Sequence, residues 1–204
     1  MSHVFLISGA SRGLGRAIAE AALAAGHHVV AGVRSVSALD DLAAREPERL
    51  AVVPLDVTDD EQVRGAIDTA IQRWGRVDVL VNNAGYANMA AVEDVDVDDF
   101  RAQVETNFFG VVRLTQAVLP LMRRQRAGHI IQISSVGGRL ARPGLAAYQS
   151  SKWAVTGYSG VLAQEVAPLG IKVTVLEPGG MRTDWSGSSM RIAPVRDEYR
   201  DTVG

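Results

Sequence analysis

The 204-residue sequence contains no cysteine, so disulfides and thiolate metal sites are excluded outright. Charge of one sign is also missing. The 21 Lys and Arg stand against 23 Asp and Glu, for a net charge of −2, and no nucleic-acid partner is expected from such a balance. No apolar stretch approaches the roughly 18–20 residues of a membrane span, so no membrane partner is expected either. The opening Met1-Ser2-His3 and the apolar run Val4–Ile7 lack the basic residues and longer apolar stretch of a secretory signal; the cytoplasm is the expected compartment. The four histidines, His3, His27, His28 and His129, show no ligand spacing with carboxylates, and no metal site is expected. Linkers, repeats and low-complexity tracts do not interrupt the chain.

What is present is ordinary for one globular domain: 47% hydrophobic and 22% charged residues in a chain long enough to bury a large core. Short runs rich in Val, Ile and Leu recur at Val4–Ser8, His28–Val33, Leu50–Leu55, Val77–Asn82, His129–Ser134 and Ile171–Glu177. Strict alternation is weak in them, which marks parallel strands covered on both faces. Helical stretches lie between. Gly13–Ala25 ends at Gly26. Thr58–Trp74 opens on a capping box of Thr58 and Glu61. Val97–Arg126 has Asp96 as its cap and Arg123, Arg124 and Arg126 at its negative end, and Pro120 is expected to kink or divide it. Ala147–Leu169 closes at Gly170. Strands alternating with helices predict an α/β fold, a doubly wound parallel sheet of Rossmann type in three α/β/α layers. Ligands of such sheets bind at the carboxyl ends of the strands.

Those ends carry the notable residues. The first strand runs into Ser8-Gly9-Ala10-Ser11-Arg12-Gly13-Leu14-Gly15. Glycines at a strand-to-helix turn permit tight backbone geometry, and the helix start offers unpaired N–H groups and a positive dipole end to a phosphate. The second strand ends Val33-Arg34-Ser35 with no acid where an NAD-binding fold commonly places one. Arg34, with Arg12 in the turn, instead suits a 2′-phosphate. NADP(H) is therefore the expected cofactor, with NAD(H) open. Asp56 ends the third strand, where its carboxylate can accept from an adenine amino group or assist the next helix. The fourth ends Asn82-Asn83-Ala84-Gly85; its small residues would let a ribose lie against the main chain, and its asparagines need partners if buried. Tyr148 and Lys152 are four apart and share a helix face. An ammonium there, with the charge of oxidised nicotinamide, is expected to lower the phenol pKa and make it a usable acid/base.

The Gly-x-x-x-Gly-x-Gly turn, the Asn-Asn-Ala-Gly tetrapeptide and the Tyr-x-x-x-Lys pair, in this order and at these gaps, resemble the short-chain dehydrogenase/reductase family. The resemblance covers Val4 to about Thr183. It implies a catalytic set of Asn107, Ser135, Tyr148 and Lys152. Ser135 rather than Ser134 is implied because the family serine lies thirteen residues before the tyrosine. Asn107, a poor helix former in mid-helix, would anchor a water leading to the lysine. The implied cofactor site comprises Gly9, Ser11, Arg12, Gly13, Leu14, Gly15, Arg34, Asp56, Val57, Asn83, Ala84, Gly85, Tyr148, Lys152, Pro178, Gly179 and Thr183. The implied reaction moves hydride between the nicotinamide and a small-molecule carbonyl or alcohol.

Residues 179–204, polar with Gly and Ser clusters, are expected to form a mobile substrate lid on the single domain. Family members usually continue through another helix and a seventh strand, which the sequence to Gly204 does not contain. With that segment present, a homodimer or homotetramer is expected. Two other readings stand beside the general carbonyl reductase. One is a steroid- or retinol-type dehydrogenase, suggested by Asn82–Phe109 and by Glu177–Asp184. The other is a catalytically idle NADP(H)-binding sensor, which would have no need of Ser135, Tyr148 and Lys152. A hydrolase built on Ser135 would need a nearby histidine, and none is apparent.

Overall fold

In the computed structural model, which describes residues 2–181 and 190–204, the Val/Ile/Leu runs become six parallel strands. They are β1 (Val4–Ser8), β2 (His28–Val33), β3 (Leu50–Pro54), β4 (Val79–Asn82), β6 (Gly128–Ile133) and β7 (Ile171–Leu176). Their order across the sheet is β3-β2-β1-β4-β6-β7. A two-residue strand β5 (Asn88–Met89) pairs in parallel with β8 (Arg191–Ile192) in a separate ribbon. The doubly wound α/β sheet expected from the sequence is thus present, with each strand matching its apolar run, one or two residues shorter, or shifted by one.

Alternate side chains of the strands from β1 to β6 in the main sheet enter two cores, and β7 adds Ile171 and Val173 to one of them. Leu6, Val30, Val53, Leu80 and Ile130 point into one, against Ala66 and Ile67 of α3 (Asp60–Trp74), Leu114 and Val118 of α5 (Gly110–Gln125) and Leu162 of α6 (Ala146–Val166). Ile7, Val29, Ala31 and Val81 point into the other, against Ala19 and Leu23 of α1 (Gly13–Ala24) and Leu42 of α2 (Asp40–Arg45). That two-sided burial explains the weak alternation in the sequence. Strand order reverses between β1, whose chain proceeds outward to β2, and β4, which lies on the other side of β1. The crevice outside the carboxyl ends of β1 and β4 is the topological switch point.

Two helix expectations are corrected. The cap of α3 is Asp59, whose Oδ1 accepts from the backbone N–H of Glu61 at 2.8 Å and of Gln62 at 3.1 Å; Thr58 lies outside the helix, its hydroxyl donating to Asp56. The long helix is not divided at Pro120, which α5 contains. It changes character upstream instead. α4 (Val97–Val104), capped by Asp96 as expected, passes into a π-helical turn at Glu105–Phe109 before α5 begins. A π turn inserts an extra residue into the i→i−4 ladder, and this one contains Asn107.

Candidate active site

Apart from Asn107 in the π turn, the candidate residues follow the ends of all six strands of the sheet and stand at the starts of α1 and α6. The glycine turn is shaped by close packing. Gly9 and Gly13 hold positive φ, +67° and +54°. A Cβ on Gly15 would fall 2.3 Å from the Gly9 carbonyl oxygen and 2.5 Å from Asn83 Nδ2. The Asn83 amide donates to the carbonyls of Ser8 at 3.1 Å and Gly9 at 3.0 Å, and Ser8 Oγ accepts from the N–H of Asn83 and of Ala84, each at 3.1 Å. Asn83 therefore ties the end of β4 to the turn after β1. Asn82 is buried and donates to Thr115 and Gln132. Asn83 and the Asn82 amide nitrogen are thus satisfied, whereas Asn82 Oδ1 is buried without a hydrogen-bond partner.

The start of α1 is left open to a ligand. Its cap residue, Arg12, makes no side-chain capping bond, and no acid stands in its first turn. Arg12 and Arg34 are exposed. Ser11 and Leu14 are half-buried beside them. At the end of β3, Asp56 Oδ1 accepts from Thr58 N–H at 2.9 Å and Thr58 Oγ1 at 2.8 Å, so the helix-entry role considered for it is the one that occupies this oxygen. Val57 is buried against Gly110, whose Cβ would lie 2.4 Å from Val57 Cγ2. After β7, the Pro178 carbonyl accepts from Val136 N–H at 3.0 Å, and Gly179 is exposed. Thr183 lies outside the described residues.

Asn107, Ser135, Tyr148 and Lys152 are all buried and lie together. The Tyr148 hydroxyl is hydrogen-bonded to Ser135, and Ser135 Oγ accepts from Gly137 N–H at 3.0 Å. Ser134 faces the other way, bonding the Lys152 carbonyl at 3.2 Å and Thr156 Oγ1 at 2.9 Å. Geometry thus separates two serines that adjacency in sequence leaves alike. Lys152 Nζ donates to the Ile133 carbonyl at 2.7 Å and lies 5.8 Å from the centroid of the Tyr148 ring. Asn107 uses its whole amide: Oδ1 accepts from Tyr86 N–H at 3.0 Å, and Nδ2 donates to the Tyr86 carbonyl at 2.8 Å and to Ser151 Oγ at 3.1 Å. Ser151 in turn donates to the Tyr148 carbonyl at 2.6 Å. A Cβ on Gly85 would meet Asn107 Oδ1 at 3.0 Å and Lys152 Nζ at 3.6 Å.

In the protein alone, without the charge of an oxidised nicotinamide, burial governs both groups of the pair. Burial pushes the Tyr148 phenol above its usual value, and the Ser135 hydrogen bond only partly offsets this. Lys152, with burial as the cause, is pushed down to about 8. Desolvation disfavours the charged form of each group.

Sequence reasoning missed several supports of this cluster. Ser151 stands between Asn107 and the Tyr148 backbone. Gln149 staples the loop after β6, accepting from Arg142 N–H at 2.8 Å and donating to the Leu140 carbonyl at 2.7 Å. Arg139 pairs with Glu177, joining the loops after β6 and β7. Their polar side chains next to the Tyr–Lys pair were the available signal. Of the segment expected to form a lid, residues 182–189 lie outside the described residues. Within 190–203, the β8 strand joins β5 and Val203 is buried. Among the described residues no group of His, Cys, Asp or Glu could hold a metal ion, and no helix is long and apolar enough to cross a membrane.

Comparison with known proteins agrees with this architecture. The family model described as short chain dehydrogenase matches residues 3–191. An oxidoreductase, BOA17 of Botryotinia fuckeliana, is 58% identical over 205 residues, covering 100% of this chain and 75% of that protein. A short-chain dehydrogenase structure from Streptomyces avermitilis superimposes with a TM-score of 0.94 at 44% identity, over 100% of this chain and 75% of the other. A short-chain dehydrogenase/reductase from Burkholderia phymatum, solved in complex with NAD, gives 0.86 at 28% identity, over 91% of this chain and 68% of that one. A match along nearly the whole chain, in sequence and in sheet order alike, leaves one assignment: the chain belongs to the short-chain dehydrogenase/reductase family of oxidoreductases, which act on alcohol and carbonyl groups.

Proposed function

We propose that this chain is an NADP(H)-dependent oxidoreductase that interconverts a small-molecule carbonyl and its alcohol, with Tyr148 as the acid/base. The observation that carries the reading is the buried pair of Tyr148 and Ser135 hydroxyls beside Lys152, at the rim where β1 and β4 part. The residues fit a pyridine dinucleotide. The uncapped, acid-free start of α1 suits the pyrophosphate. Arg12 and Arg34 suit a 2′-phosphate, and exposed Gly85 and Gly179 leave the main chain open to the ribose and ring. Thr183 belongs to the same reading from sequence alone. The dinucleotide, when bound, supplies or takes up the hydride.

The chain's residues handle the proton and the oxygen. Ser135 Oγ donates to the substrate oxygen and orients it, while the Tyr148 hydroxyl gives its proton to that oxygen in reduction and takes one back in oxidation. Lys152 brings a cation next to the phenol, where it favours phenolate. With burial pushing the phenol up, the positive charge of the oxidised ring is needed as well. The phenol is then acidic mainly in the oxidised complex, where a base is required. Asn107 and Ser151 hold the turn of α6 that carries Tyr148. Exposed Trp153 and Val161 on α6 support self-association as part of the same reading.

Tyr148→Phe tests it. Turnover of NADPH against a panel of ketones, aldehydes, retinoids and steroids should vanish, while NADPH binding, followed by fluorescence titration, survives. Full turnover by the variant would sink the role of the phenol. Equal turnover with NADH and NADPH would remove the role given to Arg12 and Arg34.

A further inference from the structure

Residues 190–203 return across the segment that joins β5 to α4 and are fastened to it. The ribbon supplies little of the hold. Ala193 N–H donates to the Met89 carbonyl at 2.8 Å and Arg191 N–H to Asn88 Oδ1 at 3.3 Å, and strands of two residues are marginal by themselves. Side-chain charge supplies the rest. Arg191 pairs with Asp99. Arg196 reaches Glu93 at 3.0 Å and Asp94 at 2.7 Å. The Tyr199 hydroxyl donates to Glu93 at 2.7 Å. Glu93 is held below the usual carboxylate range, by the Tyr199 hydroxyl first and Arg196 second. At the far end Val203 is buried against Gly144, where Met89 also packs.

Under this strap lies a cavity of about 290 Å³. Arg191 and Ile192 form one wall, Met89 and Gln103 another, and Ala147 the third. Ala147 immediately precedes Tyr148. Displacing the strap therefore removes one wall of a cavity that Ala146 and Ala147, in the helix turn bearing the phenol, also line.

We propose that Arg191 and Arg196 are positioning residues for the carbonyl substrate: their ion pairs with Asp99, Glu93 and Asp94 hold the 190–203 strap against Met89 and Gly144, and so set the substrate-side wall beside the start of α6. The proposal rests on the carbonyl/alcohol reading. Exposed ion pairs are individually weak, each worth about a factor of 1.5 to 5 in an equilibrium, but Arg196 bridges two carboxylates and Glu93 takes two donors. Such a network is screened by salt. The strap's hold, and with it the KM for substrate, depends on ionic strength.

The experiment uses the full chain. Arg196→Gln should raise KM for the carbonyl substrate by about threefold to tenfold while kcat and the KM for NADPH stay put. In the parent protein KM should climb between about 50 mM and about 500 mM NaCl, and in the variant, which keeps the Arg191–Asp99 pair, it should climb less. Arg191→Asp and Asp99→Arg should each raise KM, and the charge-swapped double variant should restore it. Hydrogen exchange at the Ala193 amide, which requires no turnover, should quicken in each single variant and slow again in the swap. Unchanged exchange in Arg196→Gln and Arg191→Asp would overturn the strap. Quickened exchange with unchanged KM would overturn the positioning role. A parent protein that turns over no carbonyl, yet shows the exchange pattern, would overturn the functional reading and the positioning role with it, while leaving the ion-pair strap intact.

Discussion

Four of the helices that follow strands at the carboxyl rim of the sheet, α1, α3, α4 and α6, begin in two different ways. α3 and α4 are closed by their own chain: Asp59 and Asp96 each accept from two first-turn N–H groups, and Asp60, Glu61, Asp98 and Asp99 add negative charge to those turns. α1 and α6 start at Arg12 and Leu145 with no side-chain cap and no first-turn acid. Both kinds of start carry a positive dipole end. In α3 and α4 the chain has already spent it on carboxylates, whereas in α1 and α6 it remains available beside the crevice where the candidate residues gather. The difference sets where an incoming anion can be met and where it would be repelled.

The largest expected effect separates α1 from α3 by one and the same substitution. A Cβ at Gly15 meets backbone, the Gly9 carbonyl at 2.3 Å, whereas nothing lies within 4 Å of one at Gly65 in α3. Gly15→Ala should destabilise the fold by about 2–3 kcal/mol and weaken dinucleotide binding. Gly65→Ala should stabilise it by about 0.5–1 kcal/mol. Urea unfolding of both variants checks the pair; equal effects would mean that the close approach of α1 to the end of β4 is not what requires glycine.

A slightly smaller effect concerns α6. Lys152 is buried with no carboxylate among the causes of its shift. Its pKa falls from the ordinary lysine value of 10.5 to about 8 in the fold, which at about 1.36 kcal/mol per unit is a cost of about 3 kcal/mol whenever both states are protonated. Below about pH 8 the fold bears that cost in full. As pH rises toward 10.5 the folded lysine loses its proton first and the cost is relieved. Lys152→Met should therefore be more stable than the parent at about pH 7, by about 2 kcal/mol after the lost bond to the Ile133 carbonyl is deducted. The gap should close as pH approaches 10.5. Thermal unfolding across that range measures it, and a gap independent of pH would show that Lys152 does not bear a buried charge.

Much of this was legible in the residues. Runs such as Val4–Ser8 and His28–Val33 became the strands because both faces of the sheet are apolar, and the glycine turn and Asn82-Asn83 sit at strand ends as read. What stayed hidden has physical causes. Thr58, Asp59 and Asp60 can each cap a helix, and only the chain's path after β3 selects Asp59. No residue pattern encodes the π turn at Glu105–Phe109; the single hint was an asparagine in mid-helix. Strands as short as β5 and β8 show no period. The direction of the Tyr148 shift depends on burial, which a four-residue spacing to Lys152 does not report. Ser134 and Ser135 differ only in which way each faces, a property of the strand's exit rather than of composition.

The smallest expected effect tests the comparison most directly, because it has opposite signs in one variant. Arg12 holds an extended backbone, φ −158° and ψ 175°, which an aspartate cap adopts without strain. Arg12→Asp would convert the start of α1 into the kind seen at α3. The new carboxylate should accept from the free first-turn N–H groups and raise stability by about 1 kcal/mol. The same carboxylate would occupy the donors and repel the charge that a pyrophosphate needs there, so NADPH affinity should fall about tenfold or more. NADH affinity should fall less, since it lacks the 2′-phosphate that Arg12 is proposed to meet. Calorimetric titration alongside thermal unfolding reads both signs. A variant that gained stability and bound NADPH as before would show that the open start of α1 is a structural accident, and that the dinucleotide is held elsewhere on the rim.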